Sequence, residues 1–219
     1  MRSTELGPES HDRSDLTARS RIRDAAIRLF GARGYAATSV RAIADEAGAS
    51  PALVLHHFGS KERLREACDD HVLQSVIGKG ADLADADLIG TMHGWLSDPR
   101  RFQSSFDYVA RTLTERSEFG AQLFDRLVAK TRDLIADGVA RGTMRASVDP
   151  EMQALVVALH GLAPIVLQHQ IGRLLGESAL RASVIQRMTL PVLELYSHGL
   201  YTDDSYLDAA SQALGRLAP

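Results

Sequence analysis

The chain has 219 residues, of which 45% are hydrophobic and 24% are charged, a composition typical of a globular protein and not of a disordered or fibrous one. Its single cysteine excludes an intrachain disulfide and is typical of a reducing compartment such as the cytoplasm. No apolar run reaches the length of a membrane span, and residues 1–16 lack the apolar stretch of a secretory signal. We therefore expect a cytoplasmic protein that does not cross a membrane.

Charge is divided unevenly along the chain, although the net charge is only −3. Residues 17–65 hold nine basic and four acidic side chains, a net charge of +5. Residues 1–16 carry −2, and residues 66–219 carry −6. A basic N-terminal module joined to an acidic body favours a protein that reads nucleic acid and has a second domain. The alternative is a solvated surface on which basic residues cluster by chance.

The N-terminal part of the chain is predicted to change from disorder to helix near Thr17. Residues 1–16 are rich in polar side chains and are predicted to form a disordered leader. From Thr17 onward, apolar residues recur with the spacing of one helix face, and Gly34 ends that helix. The residues of this face are Ile22, Ala25, Ala26, Leu29 and Phe30.

Two short helices follow, and a tight turn joins them. The first of them begins after Thr38 or Ser39, either of which is able to cap it, and Gly48 ends it. Ser50-Pro51 then places a capping residue and a proline at the start of the next helix, which ends near Phe58. This is the spacing of a helix-turn-helix motif.

The rest of the chain also has helical periodicity. Ser60 is able to cap a fourth helix that extends to about Val76, whereas residues 82–97 are ambiguous because they contain two glycines. Because no segment shows the alternation of apolar and polar residues that is typical of a β-strand, we predict an all-α protein. The further helices are predicted from Pro99, around residues 123–142, over 150–175, over 179–199 and over 204–214.

One stretch of the chain resembles a known family. Residues 22–64 contain the segments IRDAA, LF, GY, TSVRAIA, AGASP and HFGSKE in this order, and the match needs no insertion or deletion between them. These segments are similar to the DNA-binding domain of TetR-type transcriptional regulators. The resemblance implies a three-helix helix-turn-helix DNA-binding domain over residues 17–63. It also implies a C-terminal helical domain for ligand binding and dimerisation over residues 64–219.

The resemblance further implies a homodimeric repressor that binds double-stranded DNA at a palindromic operator and is released by a small-molecule effector. The dimer is expected to form through residues 150–175 and 179–199. An independent reason for a dimer is that one short reading helix makes few base contacts, and two half-sites ~34 Å apart double them. The alternative is that both segments are ordinary core helices. Pro164, inside the first segment, is predicted to kink it.

The helix after Ser50 is the predicted reader of the major groove. Val54 and Phe58 are four residues apart and are expected to face the core, which leaves the other side toward DNA. A thymine methyl is a suitable partner for Ala52 or Leu53, and a base edge or phosphate for His56. For Leu53 and Leu55 the alternative is packing against the fourth helix. The residues expected on the DNA side are Ala52, Leu53, Leu55 and His56.

Phosphate contacts are expected around the reading helix. In the family a tyrosine that touches phosphate commonly stands where this chain has Leu55, which is unable to donate. Thr38, Ser50 and Lys61 are therefore expected to supply the phosphate contacts, together with backbone N–H groups at helix N-termini. By resemblance Arg41 contacts a base or the backbone, and its alternative is a surface arginine. By resemblance His57 contacts phosphate or packs between domains, and its alternative is a structural histidine.

The resemblance also implies an effector pocket in the helical body. Aromatic and adaptable apolar side chains with a few polar groups are typical of such pockets. For every candidate the alternative is an ordinary core residue. The candidates are Met92, Trp95, Phe102, Phe106, Tyr108, Phe124 and His160.

Catalytic and cofactor motifs are not evident. None of the eight histidines has convincing metal-ligand spacing, and we expect no metal, no cofactor and no enzyme activity. Cys68 is expected to be a small buried residue, with a redox switch as its alternative. The alternatives for the whole chain are a helical protein-interaction module and a DNA-binding protein without effector control.

Overall fold

The computed structural model describes residues 8–76, 100–177 and 182–215. These residues form ten α-helices and no strand, which confirms the all-α prediction for this part of the chain. In chain order the helices are α1 (Pro8–Arg33), α2 (Val40–Ala47), α3 (Pro51–Phe58), α4 (Lys61–Val76), α5 (Arg100–Thr114), α6 (Glu118–Ala140), α7 (Pro150–Val166), α8 (Gln168–Leu174), α9 (Ala182–His198) and α10 (Ser205–Gly215). The ambiguous segment 82–97 lies outside the described residues.

Helices α1, α2 and α3 enclose the N-terminal end of the core. The predicted apolar face of α1 is buried, and Ile43 on α2 and Val54 and Phe58 on α3 pack with it. Burying large side chains of this kind contributes about 1.5–3 kcal/mol each. The three helices are therefore held as one unit, which we call the head (residues 17–58).

Helix α4 connects the head to the rest of the molecule, which we call the body (residues 100–215). Leu64, Cys68 and Val72 of α4 are fully buried in one core cluster that continues from the head into α5, α6 and α7. Helix α1 also lies directly against α5, because a Cβ atom on Gly31 would stand 2.9 Å from the backbone nitrogen of Tyr108. The predicted boundary between residues 63 and 64 falls inside α4, where the core is continuous.

The predicted leader differs from the structure. The expectation of disorder over residues 1–16 is wrong for residues 8–16, which belong to α1, whereas residues 1–7 lie outside the described residues. Neither proline nor glycine occurs between Glu9 and Phe30, and Pro8 stands in the first turn, where a proline is tolerated. Residues 8–16 therefore have no apolar face from which the sequence would predict a helix, but they contain nothing that interrupts one.

The predicted long helix over residues 150–175 is two helices. Helix α7 ends at Val166, α8 begins at Gln168, and the two axes differ by 63°. The segment is bent, as predicted, but the bend lies at Leu167, three residues after Pro164: α7 continues through Pro164 to Val166. No single described helix has the length and apolar composition to cross a membrane, although the bent pair α7–α8 meets that criterion by length and composition alone.

Cys68 is buried, as predicted, and its thiol lies 3.7 Å from the carbonyl oxygen of Arg23. Burial raises the pKa of this thiol far above its usual range, and the carboxylate of Asp69 adds to the effect. Because the thiolate is the reactive form, we expect iodoacetamide to modify Cys68 very slowly in the folded protein and rapidly in urea. Mass spectrometry over time measures both rates, and equal rates would show that the thiol is accessible in the fold.

Candidate nucleic-acid interface

The turn between α2 and α3 is held by the predicted caps. The Ser39 hydroxyl accepts a hydrogen bond from the backbone N–H of Ala42 at 3.1 Å, so Ser39 is the N-cap of α2. Gly48 ends α2 with φ +61°, a conformation that favours glycine. The Ser50 hydroxyl accepts a hydrogen bond from the backbone N–H of Leu53 at 3.1 Å, so Ser50 is the N-cap of α3, which begins at the next residue. These contacts fix the direction of α3 relative to α2.

Helix α3 has one buried side and one exposed side. Val54 and Phe58 face the core, as predicted, and Ala52, Leu55 and His56 are exposed. Leu53 is only partly exposed and packs against the core cluster, so the packing alternative applies to Leu53 and not to Leu55. The exposed side of α3, formed by Pro51, Ala52, Leu55 and His56, is the surface that this helix is able to present to a ligand.

Thr38 does not belong to this exposed surface, which corrects its prediction as a phosphate contact. Its residue surface is only 1% exposed. Its hydroxyl donates to the carbonyl oxygen of Gly34 at 2.8 Å, and the carbonyl oxygen of Leu29 lies 3.3 Å away. The Thr38 side chain thus binds carbonyl oxygens at the C-terminal end of α1, whereas Ser39 caps α2. The sequence alone does not distinguish these two roles, because Thr38 and Ser39 are adjacent and chemically similar.

Lys61 lies at the first turn of α4 beside the loop that follows α1. Its ammonium donates to the carbonyl oxygen of Tyr35 at 2.7 Å and stands 4.0 Å from the centre of the Tyr35 ring. Burial lowers the pKa of Lys61, and the neighbouring carboxylate of Glu62 acts in the opposite direction. The Tyr35 hydroxyl donates to Glu62 at 2.9 Å. Lys61 therefore connects α4 to the head as well as carrying positive charge.

Arg41 and His57 occupy different environments. Arg41 is exposed on the first turn of α2, and the described residues provide no hydrogen bond or ion pair to its guanidinium. His57 is partly buried beside the ring of Phe58, with ring centres 6.3 Å apart. The geometry leaves Arg41 accessible to a ligand and favours the packing alternative for His57.

A buried polar network joins α4 to the body, and sequence reasoning missed it. Arg65 Nη1 donates to Asp69 Oδ2 at 2.8 Å, and the Tyr108 hydroxyl on α5 donates to Asp69 Oδ1 at 2.5 Å. The Arg65 guanidinium also stands 3.9 Å from the ring centre of Phe119 on α6. The signal in the sequence was the i,i+4 spacing of Arg65 and Asp69, which is more often a solvated pair than a buried one.

A second connection between head and body uses Arg111 of α5. Its guanidinium donates to the carbonyl oxygens of Gly31 at 3.4 Å and Ala32 at 3.0 Å, which belong to the last turn of α1. Such carbonyl groups lack partners within the helix, and a cation there is favourable. Displacement of α5 would therefore act on both α1 and α4.

The candidates for the effector pocket do not meet in one cavity. Phe102 lines a cavity of about 460 Å³ between α1, α4 and α5, whereas Phe124 lines a groove of about 440 Å³ between α6 and α7. Tyr108 is 1% exposed and belongs to the network with Asp69. His160 lies elsewhere, with its Nδ1 atom 2.7 Å from the hydroxyl oxygen of Tyr196.

The cavity beside Phe102 is the larger of these two spaces, and Phe106 stacks on Phe102 with ring centres 6.3 Å apart. The other residues that line this cavity include Arg23, Gln74 and Ser105. The candidates Met92 and Trp95 lie outside the described residues. Within those residues, no group of three or more His, Cys, Asp and Glu side chains is placed to hold a metal ion.

Comparison with known proteins identifies the family. Residues 22–68 match the family model described as "Bacterial regulatory proteins, tetR family", and residues 100–202 match "Tetracyclin repressor-like, C-terminal domain". The HTH-type transcriptional regulatory protein RaaS of Mycobacterium tuberculosis is 34% identical over 199 residues, which are 90% of this chain and 92% of that relative. The chain belongs to the TetR family. As a TetR-family protein it is a helix-turn-helix transcriptional regulator.

Two further transcriptional regulators are similar to the chain. The transcriptional repressor AcnR of Corynebacterium glutamicum is 28% identical over 162 residues, which are 72% of this chain and 81% of that relative. The solved structure of the TetR-family regulator PfmR from Thermus thermophilus has a TM-score of 0.54 and 25% identity, and the match covers 84% of this chain and 98% of that chain. TetR regulators bind DNA as dimers and respond to small-molecule ligands.

Proposed function

We propose that this TetR-family chain is a homodimeric repressor whose two α3 helices bind a palindromic operator and which a small molecule releases from DNA. The observation that carries the proposal is the exposed side of α3, held in place by Ser39, Gly48 and Ser50 while Val54 and Phe58 are buried. A helix held in this way fits the major groove. Ser50, Arg41 and Lys61 are proposed to contact the DNA around it.

The proposed dimer interface is supported by apolar side chains that the chain itself leaves exposed. On α7 these are Met152, Val156 and Leu159, which share one face with i,i+4,i+7 spacing. Ala154, Ala158 and Leu162 of the same helix are buried in the body. On α9 the exposed large apolar residues are Leu190, Leu193, Leu195 and Tyr196. Exposed large apolar side chains clustered on helices in this way are typical of an interaction site.

The cavity of about 460 Å³ between α1, α4 and α5 is the proposed effector site. Its size falls within the range of small-molecule sites. An effector there would contact Phe102 and Ser105 on α5, the helix that also carries Tyr108 and Arg111. Binding would thus bias the position of the head, and effector and operator would weaken each other's affinity by the same factor.

One experiment tests the DNA-binding part of the proposal. Purified protein is used to select bound sequences from random duplex DNA, and light scattering measures its mass in solution. We expect an inverted repeat and a dimer. A monomer at micromolar concentration would contradict the proposed dimer, and a non-palindromic sequence would contradict two symmetric reading helices. A screen for compounds that release the selected DNA then tests for effector control: a compound that releases it supports such control, and a regulator without an effector would yield none.

For each half-site, Lys61→Ala should weaken operator binding by about 1–3 kcal/mol and reduce the magnitude of the salt slope by roughly one unit, because each half-site loses one phosphate contact. The variant also loses the hydrogen bond to the Tyr35 carbonyl, so a small decrease in Tm is expected. Lys61→Arg keeps the charge and is the matched control. Titrations at several salt concentrations measure the slope, and a slope equal to that of the wild type would remove Lys61 from the phosphate contacts.

A further inference from the structure

The exposed side of α3 carries an unusual apolar side chain. Leu55 is 46% exposed, and between Thr17 and Gly142 it is the only large apolar residue of the described chain with so much surface in water. Ala52 lies three residues earlier, on the same side, and is also exposed. A side chain of this kind gains free energy when an apolar group covers it.

The rotation of α3 about its axis is fixed, so the direction of this side is fixed as well. Val54 is 1% exposed and Phe58 is 6% exposed, and both are locked in the core. Turning Leu55 inward would require Val54 to leave the core. Leu53 is already packed against the core cluster and is not available in its place. The sequence alone predicts that Leu53 or Ala52 contacts a thymine methyl, whereas the geometry favours Leu55 with Ala52.

The chemistry of the major groove restricts what is able to cover Leu55. Base edges there present hydrogen-bond donors and acceptors, and the one apolar group is the C5-methyl of thymine. Among the exposed residues of α3, only His56 has a side chain that makes hydrogen bonds. Ala52 and Leu55 are separated by about 4.5 Å along the helix axis, and neighbouring base pairs by about 3.4 Å, so the two side chains face the same short stretch of a half-site.

We propose that Leu55, supported by Ala52, reads the C5-methyl groups of thymines in each half-site. At these positions the protein then recognises the operator by apolar contact with a methyl group, and His56 makes a hydrogen bond to a neighbouring base edge. The inference rests on the proposed function, since it requires α3 to enter the major groove.

Replacing thymine by uracil tests this reading directly, because it removes the methyl group and leaves base pairing unchanged. Each thymine of the selected operator is replaced in turn, symmetrically in both half-sites, and the Kd is measured by fluorescence anisotropy. At one or two positions per half-site we expect affinity to fall roughly fourfold for each methyl removed, and about 15-fold for the symmetric pair. The other thymines should respond less than twofold.

Two variants assign the effect to Leu55. Leu55→Ala should bind the thymine operator more weakly and should no longer distinguish thymine from uracil at those positions. Leu55→Met keeps an apolar side chain of similar size and should still distinguish them. Leu55 is exposed, so both variants should keep the wild-type Tm, which checks that they fold.

The outcomes separate this inference from the proposed function. If the wild-type protein selects no DNA sequence, the proposed function is wrong. If it selects an operator but every uracil position is neutral, the methyl reading is overturned while DNA binding stands. If Leu55→Ala keeps the full uracil effect, another residue reads the methyl group and the assignment to Leu55 is wrong.

Discussion

Asp69→Ala should lower the free energy of unfolding by about 3–5 kcal/mol, because it leaves the guanidinium of Arg65 buried without its partner carboxylate. The side chains of Arg65 and Asp69 are only 6% and 3% exposed, so water does not replace the lost contact. The change also removes the acceptor of the Tyr108 hydroxyl, which is buried as well. Urea denaturation followed by circular dichroism measures the effect.

The matched control removes the whole network instead of half of it. Arg65→Met, Asp69→Leu and Tyr108→Phe together replace every charged and polar group by an apolar one of similar size. Burial raises the pKa of Asp69 in spite of its contacts with Tyr108 and Arg65, so desolvation exceeds the attraction that these partners supply. The triple variant should therefore be as stable as the wild type or up to about 4 kcal/mol more stable. A triple variant as unstable as Asp69→Ala would show that the charges themselves stabilise the fold.

The raised pKa of Asp69 also predicts a dependence on pH. A carboxyl whose pKa is higher in the folded state than in the unfolded state binds its proton more tightly when folded. Its contribution to stability is therefore greatest below the ordinary pKa of about 4 and is lost as the pH rises through the raised value. Any advantage of the triple variant at neutral pH should shrink on acidification toward about pH 4. An advantage independent of pH would mean that the Asp69 pKa is not raised.

Local chemistry explains why the head was predictable. The caps Ser39 and Ser50, the glycine that ends α2 and the proline that starts α3 act over three or four residues, so their signals are complete in the sequence. The buried face of α1 follows from spacing alone, because a helix places residues three and four apart on one side. Pro164 is a further local signal: it predicted a bend in this segment, and the chain bends three residues after it, at Leu167.

Long-range packing explains what sequence reading could not provide. Tyr108 and Asp69 are 39 positions apart, and nothing near either residue indicates that they meet. Phe102 and Phe124 both have the composition of pocket residues, but α5 and α6 direct them into different spaces. The prediction of a phosphate contact for Thr38 is wrong because the environment of this residue depends on the end of α1 and not on its neighbours in sequence.

Arg41→Ala should weaken operator binding by about 1–3 kcal/mol for each half-site, and so by roughly 2–6 kcal/mol for a dimer that loses the contact twice. Arg41 is exposed on the first turn of α2, close to the turn that precedes α3. None of the described residues holds its guanidinium, so the fold leaves this side chain available to DNA. Stability should change little, because no intramolecular hydrogen bond or ion pair within those residues is broken.

Arg132→Ala is the matched control, since it removes the same charge from an exposed arginine on α6, far along the chain from the head. Both variants lower the net charge of the chain by one unit, so a difference between them reports the position of Arg41 and not the net charge. Arg132 pairs with Asp133 and Glu151, so the Tm of this control is measured as well. Competition against each single-base variant of the operator then assigns the contact. If Arg41→Ala lowers the affinity for all sequences alike and reduces the salt slope, Arg41 contacts a phosphate. If the loss of affinity depends on the identity of one base pair, Arg41 reads that base. Equal affinities for Arg41→Ala and Arg132→Ala would place the DNA away from α2 altogether.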